Sequence, residues 1–323
     1  MVAFVFCLVI FVVMNTLNYS FIIPVYNRPE EIEELLQSFL GLETNLDFEI
    51  VIVEDGSFVS SEKIVQDYQS KLNISYYYKE NTGPGFSRNY GMSKAKGNYL
   101  IILDSDVILP SEYLTEVNQS LQSNFVHCFG GPDAAHSSFT SLQKAIDFSM
   151  TSFITTGGIR GNKRQIDKFQ PRSFNMGLSK EAYEATGGFG DIHPGEDPDL
   201  SIRLWKLGYE TKLIPSAYVF HKRRISWNKF AQQVYKFGLV RPILNRWHPN
   251  TKSIAYWFPT IFSLGFILAM ILVLGSIYGP IILVGSYLIL VFCFSFFKVF
   301  NFKVALLSVI ATVIQFLLSL IHI

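Results

Sequence analysis

No acidic residue follows Glu210, so all 26 Asp and Glu of this 323-residue chain fall in its first two thirds. Charged residues are scarce throughout, at 16% against roughly 25% in ordinary soluble domains. Cysteine is scarce too. Cys7, Cys128 and Cys293 have neither metal-site nor redox-motif spacing, which excludes a disulfide framework and suits a reducing compartment. No GxGxxG follows the first apolar strand, and GxxxxGK(S/T) occurs nowhere. A dinucleotide oxidoreductase and a P-loop ATPase are thereby excluded.

What the acid-poor third does contain is base, then oil. Eight Lys or Arg lie between Lys222 and Lys252 with no acid among them. Such a belt before a long apolar region suits anionic lipid heads, and no nucleic-acid partner is expected. SWNKFAQQVYKFGLVRPILNRW mixes basic and aromatic positions at helical spacing. Residues 226–253 are therefore expected as an amphipathic juxtamembrane region lying on the lipid bilayer, with Trp227 and Trp247 as interfacial anchors. Three apolar runs follow, Ile254 to Tyr278, Ile281 to Phe297 and Val304 to Ile323, so three transmembrane helices are expected in 254–323. The belt and the pair Lys298 and Lys303 put the large domain and the second linker on the cytoplasmic side. The expected location is a bacterial inner membrane. Residues 1–18 form an apolar extension. It is read either as a membrane-associated segment or as a spurious one, with Met14 as the alternative start.

Residues 19–225 alternate strand and helix. YSFIIPVYN, FEIVIVED, ISYYYKE and NYLIILDSD read as strands, beginning at Tyr19, Phe48, Ile74 and Asn98. Between them fall helices opening at Pro29, covering about Ser60 to Lys71, and covering Gly85 to Ala95. Leu35, Leu36, Phe39 and Leu40 are expected on the buried face of the first. This order predicts an α/β fold with a mostly parallel sheet flanked by helices, with ligands collecting beyond the carboxyl ends of its strands.

The polar residues gather there. Pro24, Tyr26 and Arg28 close the first strand, Asp55 the second, and Asp104-Ser105-Asp106 the fourth. A DxD directly after an apolar strand can hold a divalent cation (Mg2+ or Mn2+) that binds two phosphate oxygens. Asp106 is the expected metal contact, while Asp104 reaches sugar hydroxyls or ribose. Asp55 can accept from a base N–H and Tyr26 can lie against the base. Arg28 and Arg88 offer forked donors to phosphate. A second acidic focus, Gly195-Glu196-Asp197-Pro198-Asp199, opens a helix. Asp197 is the candidate general base for an attacking hydroxyl, Glu196 positions the acceptor or steadies the loop, and Asp199 is expected as a helix cap. His221, after AYVF, is read either as a further metal ligand or as a phosphate-facing or exposed histidine.

FIIPVYNRPEEIEELLQSF, IVIVEDGS, NTGPGFSRNYGMSKAKGNYLIILDSD, FNMGLSKEAYEATGGF and GEDPDLSIRLWKLGY, in this order, resemble the family 2 glycosyltransferases. That resemblance implies the inverting GT-A fold and a nucleotide-diphosphate sugar as donor. Asp55 then looks like the base-recognising aspartate, Asp106 like the metal acid, Asp104 like its donor-contacting partner and Asp197 like the catalytic base. Asn175 and Met176 resemble part of the acceptor-side wall. A processive member would carry QxxRW. Here Asn245-Arg246-Trp247 supplies RW, but Arg241 or Pro242 sits near the place that needs glutamine and the spacing fails. Single additions to a lipid-linked or glycolipid acceptor are therefore expected over a synthase-translocase. The nucleotide base, sugar, acceptor linkage and oligomeric state are not encoded in these motifs.

Overall fold

The computed structural model describes residues 17–134, 139–156, 168–221, 226–249 and 257–319; the apolar extension to residue 16, with Cys7, lies outside them. In chain order the elements are β1 (Tyr19–Val25), α1 (Pro29–Leu40), β2 (Phe48–Asp55), α2 (Glu62–Tyr68), β3 (Ile74–Lys79), α3 (Pro84–Lys94), β4 (Tyr99–Leu103), β5 (Val107–Ile108) and α4 (Tyr113–Ser123). Next come β6 (Cys128–Gly130), β7 (Asp133–Ala134), α5 (Ser141–Thr151), α6 (Phe153–Thr156), β8 (Asn175–Ser179), α7 (Lys180–Thr186), α8 (Glu196–Lys206), β9 (Thr211–Leu213) and β10 (Val219–His221). The remainder is helical: α9 (Trp227–Trp247), α10 (Phe258–Leu274), α11 (Gly279–Val299) and α12 (Phe302–Ser319).

The chain divides into two compact units. The first, Met1–Pro132 with Pro171–Asp191 and Arg203–Phe220, is built on a seven-stranded sheet of order β3-β2-β1-β4-β8-β6-β9. β1 to β4 run parallel, β8 runs antiparallel to both β4 and β6, and β9 pairs parallel with β6. Unbroken aliphatic runs such as IVIV of β2 and LIIL of β4 form here because both faces of the sheet are covered. Phe21, Ile23, Ile50, Ile52 and Ile101 share one core with Ile32, Leu35, Leu36 and Phe39 of α1. Each such side chain contributes about 1.5–3 kcal/mol on burial. Leu40 does not join it: the helix ends there, and the side chain is 44% exposed, while Ile32 one turn before Leu35 takes the inward position. α3 lies unusually close to the sheet at Gly91, where a Cβ would sit 2.7 Å from Ile22 Cγ2.

The second unit comprises Asp133–Gln170, Ile192–Ile202 and His221–Ile323. α12 runs against α5, α9, α10 and α11. Ile146 and Met150 of α5, Phe230 and Val234 of α9 and Ala311 of α12 make one buried cluster. Trp227 packs partly buried against that cluster, and Trp247 is 47% exposed. Between the apolar helices, the buried hydroxyls of Ser263, Ser295 and Ser308 find partners inside the bundle. Ser295 and Ser308 share a 2.8 Å hydrogen bond and Ser263 donates to Phe316 O at 3.2 Å. α11 and α12 are long and apolar enough to cross a membrane. α10, with 17 residues, spans about 26 Å at 1.5 Å per residue and is shorter than a full span; residues 250–256, where its apolar run begins, lie outside the described residues.

Candidate active site

Because β1 pairs parallel with β2 on one side and β4 on the other, the segments following all three strands emerge at the same end of the sheet. Pro24 lies beyond the last rung that β1 shares with β4, Ile22 with Ile102, where a residue without an N–H is tolerated. Tyr26 follows, 45% exposed. Asn27 adopts φ 54°, and its side-chain oxygen accepts from the N–H groups of Phe58 and Val59. This ties the turn after β2 to the turn after β1.

Three ion pairs hold the sheet's carboxyl end. Arg28 Nη1 donates to Asp106 Oδ2 at 2.7 Å, and its Nε lies 3.3 Å from Glu31 Oε2. Burial opposes the Arg28 charge, but Asp106 and then Glu31 outweigh it and raise the guanidinium's pKa above its ordinary value. Arg88, buried, donates through Nη2 to Asp104 Oδ1 at 2.8 Å and lies over the Phe189 ring, 5.3 Å from its centroid. Lys79 Nζ donates to Asp55 Oδ1, whose carboxylate also accepts from Thr82 N at 3.0 Å and Gly83 N at 2.9 Å. Both acids of the DxD are thus each gripped by an arginine, and Asp55 is gripped by Lys79 of β3 and by the loop that follows it.

Glu54, beside Asp55, is fully buried. It accepts from Ser57 Oγ, from Ser61 N at 2.9 Å and from Tyr76 OH at 3.1 Å, so it serves the turn rather than a ligand. Asn89 likewise clamps Phe189 in both directions, donating to its O and accepting from its N at 2.8 Å. Asn175 and Met176 are both 0% exposed. The Asn175 amide accepts from Tyr113 OH at 2.6 Å and donates to Ala217 O at 2.8 Å, and Met176 is paired between Ile102 and Gly130. The Asn175 side chain is thus held by two buried partners.

The remaining expected residues belong to the second unit. Glu196, Asp197 and Asp199 occupy the first turn of α8, where the helix dipole favours carboxylates. Glu196 is buried, with His193 Nδ1 3.2 Å from Oε1. Asp197 is partly exposed, and Ser201 Oγ donates to its backbone O at 2.9 Å. Asp199, expected as a cap, directs its carboxylate to His248 Nε2 at 2.9 Å. His221 ends β10 with Nδ1 3.8 Å from Asp133 Oδ2.

Sequence reasoning missed Lys79, Phe189 and His248. Lys79 was within reach of it: β2 and β3 are neighbouring parallel strands ending in opposite charges, and Asp55 and Lys79 are register partners. Phe189 and His248 carry no local signal, since each meets its partner only after distant segments fold together.

Among known families, the glycosyl transferase family 2 model matches residues 20–187, just over half of the chain. Over 235 residues the chain is 25% identical to a chondroitin synthase of Escherichia coli, covering 63% of this chain and 34% of that protein. Over 103 residues it is 34% identical to the poly(ribitol-phosphate) beta-N-acetylglucosaminyltransferase TarS of Staphylococcus aureus, covering 31% of this chain and 18% of the other. The chain spans about a third or less of the length of these relatives. Among solved structures, the mannosyltransferase PcManGT of Pyrobaculum calidifontis, in complex with GDP-Man and Mn2+, superposes with a TM-score of 0.60 at 16% identity, covering 93% of this chain and 86% of the other. That likeness establishes a shared α/β GT-A architecture.

Proposed function

Since the chain belongs to glycosyl transferase family 2, we propose that it is an inverting glycosyltransferase, moving a sugar from a nucleotide-diphosphate donor to a lipid-linked or glycolipid acceptor at the cytoplasmic face of a membrane. The observation that carries this reading is the set of paired charges at the carboxyl end of β1, β2 and β4: Arg28 with Asp106, Arg88 with Asp104 and Lys79 with Asp55. Carboxylates that read hydroxyls and an N–H, beside arginines that meet phosphate, are what a nucleotide-diphosphate sugar requires at a strand-end crevice.

Arg28 and Arg88 take the diphosphate oxygens, Asp104 the ribose or sugar hydroxyls, and Asp55 an N–H of the base, with Tyr26 against its face. Asp104 and Asp106 present hard carboxylate oxygens, the donor type that Mg2+ and Mn2+ prefer, and His221 is the further ligand of this reading. A divalent cation held there would neutralise charge developing on the departing nucleoside diphosphate. Asp197 accepts the proton of the acceptor hydroxyl as that oxygen bonds the anomeric carbon from the face opposite the leaving group. Glu196 steadies this turn. Membrane placement is supported by α11 and α12, by the basic belt, and by Lys298 and Lys303 flanking the single linker between them.

The test is turnover by the full chain in detergent with Mn2+ or Mg2+, using uridine, guanosine and thymidine diphosphate sugars and a membrane lipid extract as acceptor. One labelled sugar per lipid, with release of nucleoside diphosphate, is expected. Pyrophosphate release would instead identify a nucleotidyltransferase, and no turnover with any donor would leave a non-catalytic membrane scaffold. A second reading, a polymerising synthase, is favoured by the match to a chondroitin synthase; a ladder of products rather than one band would establish it.

A further inference from the structure

We propose that His248 is a positioning residue for Asp197, acting through its buried bond to Asp199; this rests on the reading of Asp197 as the base. Three contacts seat the acidic turn on the C-terminal half of α9. Ile192 packs with Val240 and Leu244 in a small buried cluster. Gly195, at φ +120°, approaches so closely that a Cβ there would fall 2.3 Å from Val240 Cγ1. His248, at the α9 C-terminus, has its backbone N–H on Leu244 O at 2.8 Å and its Nε2 2.9 Å from Asp199 Oδ1, both side chains 6% exposed.

A helix dipole alone does not account for this arrangement. Carboxylates in a first turn are stabilised while facing water, and Asp199 is instead 4% exposed. A carboxylate taken out of water calls for a donor aimed at it, and here one comes from 49 positions away. Asp199 shares its helical turn with Asp197, two residues earlier. Fixing its carboxylate therefore fixes the rotation of that turn, and with it the direction in which Asp197 points. Misplacement by about 1 Å can cost a reaction roughly a hundredfold.

The experiment compares His248→Ala, His248→Gln, Asp199→Asn and Asp197→Asn in the full detergent-solubilised chain, with the nucleotide sugar that turns over in the donor screen. His248→Ala is expected to lower kcat at least tenfold with the donor Kd and acceptor KM within twofold of the parent. His248→Gln, whose amide can donate to the same oxygen, should recover to within threefold. Adding Asp199→Asn to His248→Ala should cost nothing more. A kcat for His248→Ala within twofold of the parent, a loss confined to acceptor KM, or a His248→Gln as poor as His248→Ala overturns the proposal. If His248→Ala also loses donor binding, His248→Gln against His248→Met decides by the same kcat ratio. Asp197→Asn separates the two readings: if it is inactive while His248→Ala keeps parental kcat, the positioning role alone falls. If Asp197→Asn turns over normally, the base assignment falls and the route through it falls too.

Discussion

The guanidinium of Arg28 lies 2.7 Å from the carboxylate of Asp106, so the acid assigned to a metal is already held by a cation from the first strand's loop. Arg28 and a divalent ion would repel one another across that carboxylate. Arg28→Ala should therefore tighten Mn2+ binding to the donor-free protein by roughly tenfold, read by calorimetry. It should also raise the donor KM, because a phosphate donor is lost. Weaker Mn2+ binding in this variant would show that Arg28 organises the site rather than competing for it.

Lys79 and Asp55 form a mostly buried pair that also anchors Thr82 and Gly83. Lys79→Met should lower stability by about 3 kcal/mol by leaving a buried carboxylate short of its cation. The double variant with Asp55→Asn should be less damaged. Thermal unfolding without donor reads both; equal losses would mean that the pair is not coupled.

At Gly195, substitution by alanine adds backbone strain at positive φ and a clash with Val240. A loss of about 1–3 kcal/mol is expected, and Gly195→Ala with Val240→Ala should regain part of it, the steric share. No recovery in the melting temperature would place the whole cost in the backbone.

Burial pushes the Cys128 thiol well above its ordinary value, and does the same for the phenols of Tyr19, Tyr99 and Tyr113. The unfolded chain releases these protons first, near pH 8.5 for the thiol and near 10 for the phenols, while the folded chain keeps them. Stability is thus fully present below about pH 8.5 and falls as pH rises. Melting temperature should decline from pH 8 to 10.5, and Cys128→Ala should flatten the first part of that decline. A flat profile in the parent would contradict the assignment.

Strands were legible because aliphatic runs end at turn residues: β2 occupies Phe48–Asp55, as read from FEIVIVED. The second helix was read too long. It forms only over Glu62–Tyr68; at its start Ser61 N is drawn to Glu54 of β2 and Ser60 Oγ lies 3.0 Å from Tyr76 OH of β3. Arg28, Arg88, Asp55 and the DxD were readable as residues with phosphate, base and metal chemistry. Their mutual pairing was not, since it depends on which strands become neighbours. His248 was unreadable for the same reason: nothing near it in sequence carries a charge it must answer.

α5 comes from the stretch between the strands of the first unit's chain order, yet Ile146 and Met150 find their cover in α9 and α12, and Tyr287 of α11 donates to Ile154 O at 2.8 Å. A fragment ending at residue 225 would therefore lose more than the apolar helices α10 to α12. It would uncover an apolar face in its own middle and go into inclusion bodies, whatever tag it carried, whereas keeping residues through 319 supplies the missing lining.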